Sequence, residues 1–204
     1  MEPLVTLRAV AAPYLRSSVD TNKLIPHRFV RMPLSSDYGR YLFFDDRFLS
    51  DGSENPDFVL NQAPYRNARV LVAGANFGCG AAEDGPVYAL RDYGIRALIA
   101  PSYADIFRGN CVQNGMLPIV LSAEAVERLC TELSVQPGSE VEIDLTGQSV
   151  RNPSGVIHRF EIDPHARARL LEGLDDIAIT QRHRSAIEKF EDAYRRRTPW
   201  LAHS

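Results

Sequence analysis

The residues best suited to chemistry lie in one stretch, 70–90, reading VLVAGANFGCGAAEDGPVYAL. Gly74, Gly78 and Gly80 separate a buried apolar run from a helical pattern through Val87 and Leu90. Glycine permits positive φ and close approach to the backbone, and a helix start offers unpaired N–H groups that suit a carboxylate or phosphate. Glu83 and Asp84 fall in the expected first turn, where their charge already occupies the favourable field of the helix dipole. The turn is shaped for an anion and charged against one. Cys79 has two readings: a nucleophile whose pKa is lowered by the helix N-terminus, or a packing thiol, since no histidine lies near it in sequence. A second polar group, residues 16–23 (RSSVDTNK), either carries binding groups on a loop held by a strand end or places Asp20 as a local cap.

Other chemistries are poorly supplied. The glycine turn lacks the third glycine of a dinucleotide fingerprint, and no Lys-Ser/Thr pair follows it, which argues against nucleotide binding. His27, His158, His165, His183 and His203 show no ligand spacing with one another. Cys79, Cys111 and Cys130 are odd in number, widely spaced and without a C-x-x-C pair, so neither a disulfide framework nor a self-contained metal site is expected. A net charge of -3 gives no electrostatic ground for nucleic acid or an acidic membrane surface. The Arg195-Arg196-Arg197 run reads as a solvated helix end. No apolar run reaches the ~18–20 residues of a membrane span, and Met1-Glu2-Pro3 lacks a basic flank, so the expectation is a cytoplasmic protein.

The elements that must position these residues alternate. Apolar runs at 70–73, 97–100 and 117–121 read as buried strands, with a short helix at 103–107 capped by Ser102 and a longer one from Ser122 through Leu133, stopped by Pro137-Gly138. That alternation predicts an α/β layer with parallel neighbours. Residues 4–10 read as a further strand; 140–145 and 156–162 read as a hairpin around Asn152-Pro153-Ser154-Gly155; helices follow at 164–172, ended by Gly173, and at 181–195. Trp200 is expected to pack the tail onto the body. With 204 residues and 45% hydrophobic content, one domain over 1–204 is expected, with a long irregular substrate or partner loop at 26–64 and a helical end at 163–204. Aromatics scattered through 26–64 suggest a loop pinned at several points.

In one order along nearly the whole chain come Val19-Asp20-Thr21 with Ile25-Pro26, the run from Asn55 to Asn61, Asn76-Phe77-Gly78-Cys79-Gly80, Ile99-Ala100-Pro101-Ser102, Ala104-Asp105-Ile106-Phe107, Asn110-Cys111 with Asn114-Gly115, and Gly173-Leu174-Asp175. By these pieces the chain resembles the small subunits of 3-isopropylmalate dehydratase, the swivelling-domain partners of the aconitase superfamily. The resemblance implies an aconitase C-terminal-domain-like β/β/α fold, with a mixed sheet and flanking helices, that closes over a large iron–sulfur subunit in a heterodimer or heterotetramer. No cofactor would be bound by this chain; a [4Fe–4S] cluster in the large subunit would act as Lewis acid. The implied reaction converts 2-isopropylmalate to 3-isopropylmalate, a hydroxy-dicarboxylate, in leucine biosynthesis.

The site positions implied by that family are Asp20, Thr21, Asn22, Ser35, Ser36, Gly80, Ala81, Ala82 and Glu83. Several depart from its pattern. Where relatives carry Ser-Ser-Arg-Glu-His after Gly-Cys-Gly, this chain has Ala81-Ala82-Glu83-Asp84-Gly85. A proton-accepting serine is thus replaced by methyl, and a bidentate carboxylate clamp by a repelling carboxylate. Asp-Thr-Asp becomes Asp20-Thr21-Asn22, and the Arg-Thr-Gly loop aligns with Ser35-Ser36-Asp37. Three expectations follow: an enzyme subunit in which Ser35, Ser36, Glu83 or Asp84 takes over as base; a catalytically silent or substrate-diverged paralogue that keeps the partner surface; or a module binding a cationic or neutral small molecule.

Overall fold

The structure, a computed structural model, describes residues 1–34 and 37–201. By internal contacts the chain falls into two compact units, Met1–Gly173 and Leu174–Ser204.

In the first unit, among the described residues, seven strands form one sheet: β1 (Thr6–Tyr14), β2 (Val70–Ala73), β3 (Ala97–Ala100), β4 (Leu117–Val120), β5 (Glu140–Asp144), β6 (Ser149–Arg151) and β7 (Ile157–Arg159), in the spatial order β4-β3-β2-β1-β5-β6-β7. The β4-β3-β2-β1 half is parallel, with Ala11 beside Val70 and Val72 beside Ile99; the β1-β5-β6-β7 half is antiparallel. Parallel strands need crossovers, and β2, β3 and β4 are joined by helices that cover the sheet. The helices are α1 (Thr21–Leu24), α2 (His27–Val30), α3 (Phe44–Arg47), α4 (Gly85–Tyr93), α5 (Asp105–Gln113), α6 (Ala123–Val135) and α7 (Pro164–Glu172).

Side-chain alternation along the strands feeds two cores. Leu71, Ala73, Leu98 and Ala100 join one with α4 and the aromatic loop; Val70, Val72, Ala97 and Ile99 join the other with α6. Burial on both faces is why these strands read as unbroken apolar runs. Residues 26–64 are not a bare loop. Phe43 packs against Tyr14 and Phe58 with ring centroids 5.0 and 5.3 Å apart, and Phe29 stacks on Tyr41 at 4.4 Å. Beneath them the buried Arg47 donates to the Gly39 and Leu42 carbonyls and to Asn61 Oδ1, each at 3.3 Å, and stands 4.8 Å over the Tyr93 ring.

Two local expectations are corrected. The expected hairpin contains an extra strand: β6 lies between β5 and β7, and the 152–155 turn joins β6 to β7. Three residues are too few to show an alternation pattern. Second, the helix after Ser102 begins only at Asp105 and extends to Gln113; its N-cap is Ala104. The Ser102 hydroxyl is instead committed to the Asn76 N–H at 2.8 Å.

The second unit holds α8 (Asp176–Gln181), α9 (Arg184–Arg197) and a short 3-10 turn, Pro199–Leu201. The Asp175 side chain caps α8 through the Ala178 N–H at 2.7 Å. Among the described residues, no helix is long and apolar enough to cross a membrane.

Candidate functional site

Beyond the carboxyl ends of β1, β2 and β3 the chain keeps a loose parallel alignment, the region where open α/β sheets commonly bind ligands. The Ser18 N–H donates to the Ala75 carbonyl at 2.7 Å, Gly78 to Val19 at 2.9 Å, and Thr21 to Cys79 at 2.7 Å. On the other side Phe77 donates to Ser102 at 3.1 Å and Ala104 to Phe77 at 3.0 Å. The glycine turn is therefore laced between the other two strand ends. Backbone satisfaction, rather than apolar burial, fixes its course.

Two glycines are required there. Gly78 has φ +75°, and a Cβ on it would overlap the Phe107 ring; Gly80 has φ +99°, and its Cβ would come within 2.8 Å of the Asp20 Cγ. Side-chain-bearing residues rarely take such φ values, and neither site has room for one. Asp20 is held in turn, because its Oδ1 accepts from the Asn22 N–H at 2.7 Å as the N-cap of α1. The local-cap reading of Asp20 thus holds, and its carboxylate also abuts Gly80.

The expected helix start is corrected. Helix α4 opens at Gly85, with Asp84 as N-cap and Pro86 in its first turn, so Glu83 precedes the helix and Asp84 stands at its boundary. The positive φ at Gly80 turns the chain away before helical geometry begins, and the Glu83 N–H folds back onto the Ala81 carbonyl at 3.0 Å. Proline in a first turn has no N–H to waste, which explains the later start.

Between that loop and the start of α5 lies a surface cavity of about 270 Å³, lined by Gly78, Gly80, Ala81, Ala82 and Glu83 on one side and Ala104, Asp105, Ile106 and Phe107 on the other. Of the proposed site residues it brings together Gly80, Ala81, Ala82 and Glu83, with Asp20 behind Gly80. Asn22 is exposed on α1; Thr21 is buried, and its hydroxyl has no hydrogen-bond partner among the described residues. Ser35 and Ser36 lie outside the described residues. Asp105 and Ile106 line the cavity without being among the site positions expected from the sequence, although the Ala104-Asp105-Ile106-Phe107 motif is a signal for them.

Among the described residues lining the cavity, the ionisable ones are Glu83 and Asp105, both acidic. Glu83 also acts on Tyr38: burial pushes that phenol's pKa up, and the nearby carboxylate adds to the rise. An anionic ligand would meet repulsion here, while a proton acceptor is at hand. Burial raises the Cys111 thiol far above its usual range and the Cys130 thiol to about 12, so both stay protonated. Among the described residues no three His, Cys, Asp or Glu side chains gather to hold an ion.

Comparison with known proteins gives one consistent result. Residues 1–124 match the family model described as aconitase C-terminal domain, 127–164 one described as LeuD_N, and 176–204 one described as the C-terminal domain of the 3-isopropylmalate dehydratase small subunit. The chain is 44% identical over 201 residues to a 3-isopropylmalate dehydratase small subunit of Xanthobacter autotrophicus, covering 98% of this chain and 100% of the relative. It is 46% identical over 200 residues to one of Gluconacetobacter diazotrophicus, covering 98% and 97%. The crystal structure of a 3-isopropylmalate dehydratase from Methanocaldococcus jannaschii superposes with a TM-score of 0.65 at 23% identity, over 90% of this chain and 98% of that one.

Proposed function

The chain belongs to the family of 3-isopropylmalate dehydratase small subunits, and from that premise we propose that it is the small subunit of a two-subunit hydro-lyase acting on isopropylmalate or a close hydroxy-dicarboxylate. Its cavity would close over a large subunit that holds the iron–sulfur cluster. The reaction takes a proton from one carbon and hydroxide from its neighbour, releasing water, and then returns water with the two positions exchanged. In that scheme this chain's residues enclose the substrate and move a proton; Glu83, in the cavity wall, is the group suited to accept it. The observation that carries this reading is the near-identity in length with relatives at 44–46% identity.

A second reading is favoured by one specific feature. Ala81 and Ala82 present methyl groups to the cavity, and Glu83 and Asp105 give it negative charge. Such a wall supplies no cation for a carboxylate, so the subunit is either catalytically silent or turned toward a less acidic substrate. Co-expression with its large subunit and an assay on 2-isopropylmalate separates the two. Turnover by the unaltered complex supports the first reading. A stable complex without turnover, gaining activity on combined Ala81→Ser, Ala82→Ser and Glu83→Arg substitution, supports the second and overturns the first.

A further inference from the structure

A second surface cavity, of about 390 Å³, is lined among the described residues by Leu34, Tyr38, Tyr88, Arg91 and Asp92, and it shares none of them with the cavity at Ala81 to Glu83. Tyr88, Arg91 and Asp92 come from α4 at positions i, i+3 and i+4, which a helix places on one face. Tyr38 opens a turn that lies directly on that helix: a Cβ on Gly39 would come within 2.5 Å of the Tyr93 nitrogen. The Gly39 N–H also donates to Asp92 Oδ2 at 2.7 Å, which commits that carboxylate. Arg91 is exposed, and among the described residues no ion pair reaches it. The Tyr38 side chain is 1% exposed, yet its hydroxyl has distant acceptors, the Phe29 and Val30 carbonyls at 3.4 and 3.5 Å. Burial pushes its pKa up, so it keeps the proton it can donate. The wall therefore holds an uncommitted guanidinium, an under-used hydroxyl donor, and apolar surface from Leu34 and two rings.

We propose that this cavity binds a small aliphatic monocarboxylic acid, its carboxylate on Arg91 and its hydrocarbon arm against Leu34 and the rings of Tyr38 and Tyr88. A guanidinium presents paired N–H donors that match the two oxygens of a carboxylate. The charge count selects a monoanion: one free cation beside the Asp92 carboxylate, with Glu83 close enough to act on Tyr38, has nothing left to balance a dianionic phosphate. A neutral apolar ligand would strip water from Arg91 without replacing its hydrogen bonds, and a cationic one would be repelled by it. The volume lies at the small end of the ~300–1,000 Å³ typical of small-molecule sites. Arg91 also stands in the last turn of α4, where the helix dipole favours a cation. The dipole accounts for the charge at that end of the helix and not for the leucine and tyrosines around it. The site stands apart from the hydro-lyase reading and does not depend on it.

The test titrates the full chain with hexanoate, hexanamide and inorganic phosphate and follows its NMR signals. Hexanoate is expected to bind with a dissociation constant on the order of 1 mM and to move the signals of Tyr88, Arg91 and Asp92. Hexanamide and phosphate are expected to bind at least about tenfold more weakly. Arg91→Leu should weaken hexanoate binding at least about tenfold, as loss of a charge-assisted pair does; Arg91→Lys, which keeps the charge and loses the fork, should weaken it less. Arg128→Leu is the control, because α6 packs on the other face of the sheet, and it should change the affinity less than about twofold. Hexanoate affinity unchanged by Arg91→Leu, or lowered as much by Arg128→Leu, overturns the proposal. Equal binding of hexanamide reduces the cavity to an apolar groove, equal binding of phosphate reduces it to a general anion site, and either result overturns the monocarboxylate assignment. Absence of any shift at 88–92 up to about 20 mM hexanoate overturns it outright. Each of these failures leaves the hydro-lyase reading where it stood.

Discussion

Gly80→Ala tests how the cavity wall is held. At φ +99° an alanine stores about 1–3 kcal/mol of backbone strain. Its Cβ would lie 2.8 Å from Asp20 Cγ and 3.0 Å from Oδ1, so the carboxylate must move. Moving it loosens the 2.7 Å bond from the Asn22 N–H that caps α1, a contact worth about 0.5–2 kcal/mol. The single substitution should therefore cost about 2–4 kcal/mol. In an Asp20→Ala background both the overlap and the cap are already gone, and the same change should cost only the strain. Urea unfolding of the four proteins of this cycle, with m-values compared to exclude denatured-state effects, gives the coupling. A coupling of about 0.5–2 kcal/mol is expected. Costs that add to within ~0.5 kcal/mol would refute the claim that Asp20 and Gly80 press on one another, and with it the account of why glycine is needed there.

Arg47→Met removes three hydrogen bonds and leaves the Gly39 and Leu42 carbonyls and the Asn61 amide oxygen buried without that partner; calorimetry should record a fall in Tm of roughly 5–15 °C, and a fall under ~2 °C would contradict the pinned-loop description. Burial raises the Cys130 thiol to about 12 and the Cys111 thiol and Tyr14 phenol further, so the folded state keeps these groups neutral where the unfolded chain ionises them. Stability contributed by their neutral forms is complete below pH ~9 and falls as pH rises toward 12, by up to about 1.4 kcal/mol per pH unit for each buried group. Denaturant titrations across that range should show the decline, and a thiol reagent at pH 8 should modify Cys79 well before the other two.

Local patterns in the chain were enough for the elements whose signals lie within a few residues. The strands at 70–73 and 97–100 are continuous apolar runs because both faces are buried, and Ser122 caps α6 through the Ala125 N–H as its position before a helical pattern implies. The ordered series of short motifs likewise pointed to the family that the relatives show. Which groups meet at the cavity was a different matter. Ala81 to Glu83 and Asp105 to Phe107 lie more than twenty residues apart and are joined only because β2 and β3 pair in parallel and release their loops on the same side. Ser102 illustrates the point: its sequence context resembles a helix cap, yet the neighbouring strand end offers the Asn76 N–H, and that long-range partner wins. Residue order sets short-range preference, but the choice among competing hydrogen-bond partners is made by the sheet that brings them within reach.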